Sequence, residues 1–388
     1  MSAWGLTQLT TGSLAGVFHS HSYYDINVFD DTSRYVLVHR MGFAERTPLP
    51  DDAVEIGCID VDQSGSWMRL GESRAWSWQQ GPLAQWLSSP RRAVWNDRDG
   101  DRFVARVCDL ETHRTTTLPR PVYAVDPQGQ FALSLNMARL DTVRPGYGYC
   151  AGGGALLDQR RPREDGVWRM DLHSGEHRLI LSLARATRLL FQRLGWRERV
   201  RHLRGNYVYW FNHAKVSPDG KRFTVKLRFR ERSLRTGWND QMGVSLTCGT
   251  DGENLRLLAH GTSHVIWLNN QRLYFWQRDG VYLYEDREPV GARLGQLAPE
   301  LITQNVHIRH LPGQQNLFVL DTPYQEEIDL LLYDSRNGSC ERMAGFENHR
   351  PSRGQYRCDL HPCPSPDARK VVVSSLHDGG RQVYVLRR

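Results

Sequence analysis

Four histidines in the second half of the chain hold the same place in a repeated phrase. His213, His264, His307 and His361 each stand five residues before a turn residue: Pro218, Asn269, Pro312 and Pro366. Imidazole titrates near neutrality and offers a lone pair to metals, so histidines in phase are material for acid/base work or metal ligation. Unlike groups accompany them. Asn212 precedes His213, and the stretch "RCDLHPCPSPDARKVVVSS" sets Arg357, Asp359 and His361 at every second position, the spacing of one strand face. Imidazole beside carboxylate, amide and guanidinium is the mixture a metal centre or proton-transfer site uses. The alternative is one fold-signature histidine per repeat, hydrogen-bonded to a neighbouring repeat.

The elements that must position these groups repeat along the chain. The clearest copies are "VSPDGKRFTVKL" and "PSPDARKVVVSS"; "AVDPQGQFALSL" and "RHLPGQQNLFVLD" follow. Weaker copies surround Asp30, Pro90 and Asn269. Each pairs a Pro/Asp/Gly turn with a period-2 strand rich in β-branched and aromatic residues. Seven anchors result, and the last four are 51, 43 and 54 residues apart. A four-stranded propeller blade needs about 40 to 50 residues. The pattern predicts an all-β, seven-bladed β-propeller in a single domain over 1–388, with a β-sandwich or a two-domain β protein as runner-up. The long gap between Pro127 and Pro218 predicts an insertion over about 140–205. Within it, "LARATRLLFQRLGWRERVRHL" has helical spacing, which places a short helical insertion around 180–203.

In a propeller the strand entering each turn lines the central channel, so the four imidazoles are expected to converge at one mouth. The same phase in earlier repeats gives Asp25, Gln85 and Val122, of which the valine does not fit the pattern. "HSHSYYD" sets His21, Tyr23 and Asp25 on one predicted strand face, beside the last blade if the ring closes. Tyr23 is a further acid/base candidate. The loop "NMARLDTVRPGYGY" offers Arg139, Arg144, Tyr147 and Tyr149, with flat rings suited to sugar faces, although Pro145 and the glycines also suit plain turns.

Composition narrows the function classes. Hydrophobic residues make up 40% of the 388, enough for a real core, and 12 Trp and 15 Tyr suit a β protein or a sugar-binding surface. The formal charge of +7 favours an anionic partner. No block of like charge resembles a nucleic-acid tail, and no run of about 18 apolar residues predicts a membrane span. The first residues lack a secretory pattern. Seven cysteines without C-x-x-C spacing predict reduced thiols in a cytoplasmic protein, with Cys358 and Cys363 buried and inert. Phosphate-loop, nucleophile-elbow and H-E-x-x-H signatures are missing.

"FNHAKVSPDGKRF", "SHVIW", "NVHIRHLP" and "RCDLHPCPSPDARKVVVSSLHDGGRQVYVL" resemble the oligogalacturonate lyase and TolB-like seven-bladed propellers, chiefly over residues 205–388. "LSLNMARLDTVRPGYGY" also resembles a segment of these relatives. The resemblance implies a divalent, manganese-like metal at His264, His307 and His361, and a base role for His213. It departs from the family at Asp359 and Cys363, where no Gln-x-x-His-x-His ligand pattern can be matched.

Such lyases abstract the proton α to a uronate carboxylate and expel the 4-linked sugar, which requires the carboxylate to be neutralised. Arg357 is the candidate carboxylate clamp, since its planar fork binds bidentately. Asn212, Arg139, Arg144, Tyr147 and Asp359 are candidate substrate contacts. Asp359 has two further readings, orienting an imidazole or pairing internally with Arg357. The expected partner is an acidic oligo- or polysaccharide, not nucleic acid. The competing reading is a non-catalytic glycan-binding or scaffold propeller in polysaccharide biosynthesis or processing.

Overall fold

A computed structural model describes residues 4–88, 91–231 and 242–388. The strands form seven four-stranded antiparallel sheets, the blades of a seven-bladed β-propeller. Blades 1 to 6 are formed in chain order from residues 18–73, 85–118, 124–182, 207–260, 262–297 and 308–346. Blade 7 joins both ends of the chain: Gly5–Gln8 pairs with Gln382–Arg387, outside the hairpin from 363 to 375. Contacts divide the chain into two compact units. One holds residues up to 119, 149–151 and 298–388, hence blades 1, 2, 6 and 7; the other holds 120–148 and 152–297, hence blades 3, 4 and 5.

The repeated turn chemistry sets the blades. In blade 4, Ser217 Oγ donates to Asp219 Oδ1 (2.7 Å) and accepts from Arg222 N (2.9 Å). Gly220 closes this turn at φ +72°, a conformation that costs glycine little. Blade 7 repeats the device, with Ser365 Oγ accepting from Lys370 N (3.0 Å), but Ala368 occupies the left-handed position at φ 58°. In blade 3 an aspartate replaces the serine, and Gln130 N donates to Asp126 Oδ2 (3.2 Å). Six of the seven turn anchors thus fall between the first and second strands of a blade; the seventh, Pro90, lies outside the described residues.

Alternation along each strand buries one row against the next sheet. In the first unit, Leu311, Val319, Leu330, Val371, Val373 and Leu386 pack between blades 6 and 7, and Val54, Ile56, Trp76 and Trp95 between blades 1 and 2. In the second, Val265, Trp267, Phe275 and Tyr282 form the core of blade 5. Among the described residues three α-helices interrupt the strands: α1 (Met137–Val143), α2 (Leu183–Arg193) and α3 (Trp196–Arg204). The last two match the predicted insertion. α1 lies where a loop was expected, because Asn136 acts as its N-cap, accepting from Arg139 N (2.9 Å). All seven cysteines are free thiols; Cys358 and Cys363 are buried, and burial foremost raises both pKa values, that of Cys363 to about 12.

Candidate functional site

The phase read from the sequence has a backbone counterpart. His213, His264 and His361 adopt left-handed φ of 51°, 51° and 47°, a region few non-glycine residues enter. In blades 4 and 5 that residue falls at a break in strand register, between Asn212 and Lys215 and between Ser263 and Ile266. A bulge takes one residue out of the ladder and re-aims its side chain. The strand thus delivers each imidazole in a direction that regular pleating would not.

In the first unit, blades 6 and 7 bring His307, Asp359 and His361 together. Their ligand atoms lie within 4.8 Å of one another, and all three residues are buried. Asp359 Oδ2 is 3.9 Å from His307 Nε2 and 3.7 Å from His361 Nε2. The His307 ring is anchored from behind: Nδ1 lies 2.9 Å from Asp321 Oδ2, and the His307 backbone N–H donates to Asp321 Oδ1 (2.9 Å). Burial is the strongest influence on His307 and opposes its charge, but the charge and hydrogen bond of Asp321, with Asp359 beyond, outweigh it and raise its pKa. Burial, the largest influence on Asp321, raises its pKa against the opposing pull of His307. The pair therefore holds a proton between Nδ1 and the Asp321 carboxylate, while Nε2 faces Asp359 Oδ2 at 3.9 Å.

Arg357 Nε donates to Asp359 Oδ2 (2.8 Å), so the internal salt bridge allowed by the sequence is formed; Arg357 Nη1 donates to Gly354 O (2.8 Å). Aromatic rings enclose the group. Tyr23 meets His361 edge-on at 4.5 Å, Tyr24 lies 5.2 Å from His307, and Tyr324 lies 6.2 Å from His307. The backbone of the segment from 355 to 358 is clamped by its carbonyls. Gln79 Nε2 donates to Gln355 O (2.9 Å) and Arg357 O (3.0 Å), Arg381 Nη2 donates to Tyr356 O (3.1 Å) and Arg357 O (3.0 Å), and His349 Nδ1 bonds Cys358 O (2.8 Å).

Tyr23 arrives by a different route from the one expected. The strand ends at Ser20, so His21, Tyr23 and Asp25 do not share a strand face, and His21 Nδ1 turns back to Ser22 O (2.7 Å). Gln85 stays on its first strand, with its amide donating to Leu83 O (3.2 Å).

The second unit holds His213 and His264. The His213 backbone N–H donates to the Tyr123 hydroxyl (2.9 Å), and the Tyr147 ring meets its imidazole edge-on at 5.5 Å, with Arg144 above Tyr147 at 4.4 Å. Asn212 pairs in register with Lys226, and its Oδ1 accepts from Arg228 Nε (3.2 Å). Lys226 is buried and donates to Thr262 O. Burial first, then the charges of Lys226, Arg228, Lys215 and Arg144, hold His213 well below its ordinary pKa; Lys226 is lowered well below its own in the same way. Burial and the neighbouring cations thus both favour the neutral form of the His213 imidazole.

Two expectations about the loop from 136 to 149 need correction. Arg139 is 1% exposed, and its guanidinium donates to the carbonyls of Tyr209, Ala155, Leu156, Gln159 and Arg160. Those bonds use all five N–H groups, so Arg139 ties chain segments together rather than contacting substrate. Tyr147 and Tyr149 are likewise buried instead of presenting open rings; the Tyr149 hydroxyl accepts from Asn96 Nδ2 (2.8 Å). Sequence reasoning missed Asp321, Tyr24, Tyr324 and Lys226. Asp321 closes the apolar strand "NLFVLD" and Lys226 interrupts "FTVKL"; a charge inside an otherwise buried strand was the available signal.

Two imidazole nitrogens and a carboxylate oxygen form a donor set that suits a first-row divalent cation. Asp321 behind His307 is the outer carboxylate that commonly orients a metal-binding histidine. The residues present thus fit a metal. Comparison with solved structures places the fold in a known architecture. An oligogalacturonate lyase in complex with manganese matches 98% of this chain over 92% of its own, with a TM-score of 0.61 and 14% identity. The chain has the fold of the oligogalacturonate lyases. A second such lyase, from Vibrio parahaemolyticus, matches 98% of the chain over 93% of its own at 12% identity, also with a TM-score of 0.61. At these identities the likeness to the lyases is one of fold. No family model and no curated protein matches the sequence.

Proposed function

We propose that this propeller is a polysaccharide lyase-like enzyme that cleaves uronate-containing oligosaccharides by β-elimination, with a manganese-like divalent cation held by His307, Asp359 and His361. The observation that carries the reading is the convergence of His307 Nε2 and His361 Nε2 on one Asp359 oxygen, with Asp321 fixing the first ring. A cation there supplies neutralisation of the uronate carboxylate, which makes the adjacent carbon-bound proton easier to remove.

The chain's own groups do the rest. Asp321 keeps the proton on His307 Nδ1. Arg357 holds Asp359 in place and offsets its charge, a positioning role that replaces the clamp read from the sequence. Tyr23, packed on His361, is the acid/base group of this unit. His213 and His264 lie in the second unit; their proposed base and ligand roles are separate claims, each tested by its own alanine variant.

A second reading, a glycan-binding propeller without catalysis, draws on the burial of the group: His307 is 0% exposed and Asp359 2%. One experiment separates the two. The protein is incubated with pectic, alginate, ulvan and glycosaminoglycan fragments, with and without EDTA, while absorbance of an unsaturated product is followed. The lyase reading predicts EDTA-sensitive product from at least one fragment class. Binding without product across all four would leave the non-catalytic reading standing.

A further inference from the structure

The helical insertion of the second unit carries a feature that the site does not use. From Leu183 to Arg204, α2, α3 and their linker hold seven arginines (185, 188, 193, 197, 199, 201 and 204) against one acid, Glu198. α3 has a fixed rotation. His202 is its buried residue, stacked on Tyr207 at 4.7 Å, edge-on to Phe229 at 4.7 Å, and bonded through Nδ1 to the Tyr209 hydroxyl at 2.7 Å. At 3.6 residues per turn, Trp196, Val200 and Leu203 fall within an arc of about 60° on the side away from His202. They are 71%, 37% and 49% exposed. On the same geometry Arg199 flanks the arc on one side, and Arg197 and Arg204 on the other.

Beside this stripe lies a cavity of about 390 Å3, lined by Arg161, Arg163, Arg188, Arg199 and Phe191, with no carboxylate in its wall. Four guanidinium groups around one hollow select an oxyanion, and phosphate matches their fork geometry. A soluble acidic glycan would explain the arginines and the tryptophan ring. It does not explain Val200 and Leu203, aliphatic side chains exposed at helical spacing without a ring to stack on a sugar. An apolar stripe between arginines, next to a basic hollow with room for a phosphate-bearing headgroup, has the chemistry of a helix that lies in a membrane interface.

We propose that α2 and α3 form a peripheral docking surface for an anionic phospholipid bilayer. Trp196, Val200 and Leu203 enter the headgroup–acyl boundary, and Arg188 and Arg199 receive a lipid phosphate in the adjoining cavity. This is attachment to a surface, not passage through it; no helix among the described residues is long and apolar enough to cross a membrane.

The test is co-sedimentation of the full chain with vesicles of mixed phosphatidylglycerol and phosphatidylcholine, against vesicles of phosphatidylcholine alone. Binding is expected to the anionic vesicles and to weaken with added salt. The triple variant Trp196→Ala, Val200→Ser, Leu203→Ser should lose it with an unchanged melting temperature, because the three side chains are exposed. Arg188→Gln with Arg199→Gln should weaken it roughly thirtyfold, following the usual contribution of a basic residue at an anionic surface. Excess inorganic phosphate should compete weakly, since it supplies only the headgroup part. Failure to bind anionic vesicles, or equal binding by the triple variant, would overturn the proposal. So would retention of polygalacturonate by the wild type, lost in the triple variant, with no vesicle binding.

Discussion

Asp321 anchors the His307 imidazole from behind, and in the proposed metal site it is the group that fixes the tautomer and the orientation of this ligand. Asp321→Asn keeps the shape and one acceptor but removes the charge that holds the Nδ1 proton. It should weaken manganese binding by roughly ten- to a hundredfold, measured by calorimetric titration, while the circular dichroism spectrum is unchanged. Arg139 belongs to the opposite class. Arg139→Met leaves five carbonyls without their donor, and should cost more than about 3 kcal/mol in chemical denaturation without a specific effect on metal binding. The sequence made His307 and His361 visible as candidates because they keep step with the turns, and Asp359 because it alternates with Arg357 and His361. Asp321 was hidden because it sits on the following strand, and only the register of blade 6 sets it opposite His307. Arg139 looked like a ligand contact because an arginine in a Gly/Tyr-rich segment carries no mark of the five carbonyls that will surround it.

At the scale of elements, Ser-Pro-Asp turns and left-handed residues set the blades. Ala368 occupies the place that Gly220 fills in blade 4. A side chain in that conformation costs about 1–2 kcal/mol, more than the chain entropy glycine adds. Ala368→Gly should therefore raise the melting temperature, with a gain on the order of 0.5 kcal/mol; a decrease would show that the turn is not strained. The first-to-second strand turns were readable because Pro, Asp and Gly restrict the backbone at fixed offsets. α1 was not, since its capping asparagine precedes only seven helical residues before the Pro-Gly pair takes over. The early stop of the strand at Ser20 was also hidden: "HSHSYYD" alternates well, yet beyond Ser20 the chain leaves the sheet and Tyr23 and Tyr24 pack against the histidine rings.

At the scale of the whole molecule, buried neutral histidines give stability a pH dependence. Burial foremost lowers His19 to about 4 and His39 to about 3; the Gln382 hydrogen bond and Glu55 oppose the shift at His19, while Arg40 adds to it there and Arg381 adds to it at His39. Their unfolded values lie near 6.5. Below pH 6.5 the unfolded chain takes up protons that the folded chain refuses until about pH 4 or lower, so stability should be full above 6.5 and fall as the solution is acidified. Each histidine steepens the decline by about 1.4 kcal/mol per pH unit through that window. Urea denaturation at stepped pH reads it directly, and stability unchanged between pH 6.5 and 4 would contradict the burial of these rings as neutral groups.

The claim on which the function rests is that His307, Asp359 and His361 form one metal site. Calorimetric titration of the metal-stripped protein with manganese tests it. One ion per chain should bind to the wild type, and binding should be lost in both His307→Ala and His361→Ala while their unfolding transitions remain cooperative. No binding by the wild type, or undiminished stoichiometric binding by either variant, would contradict the account.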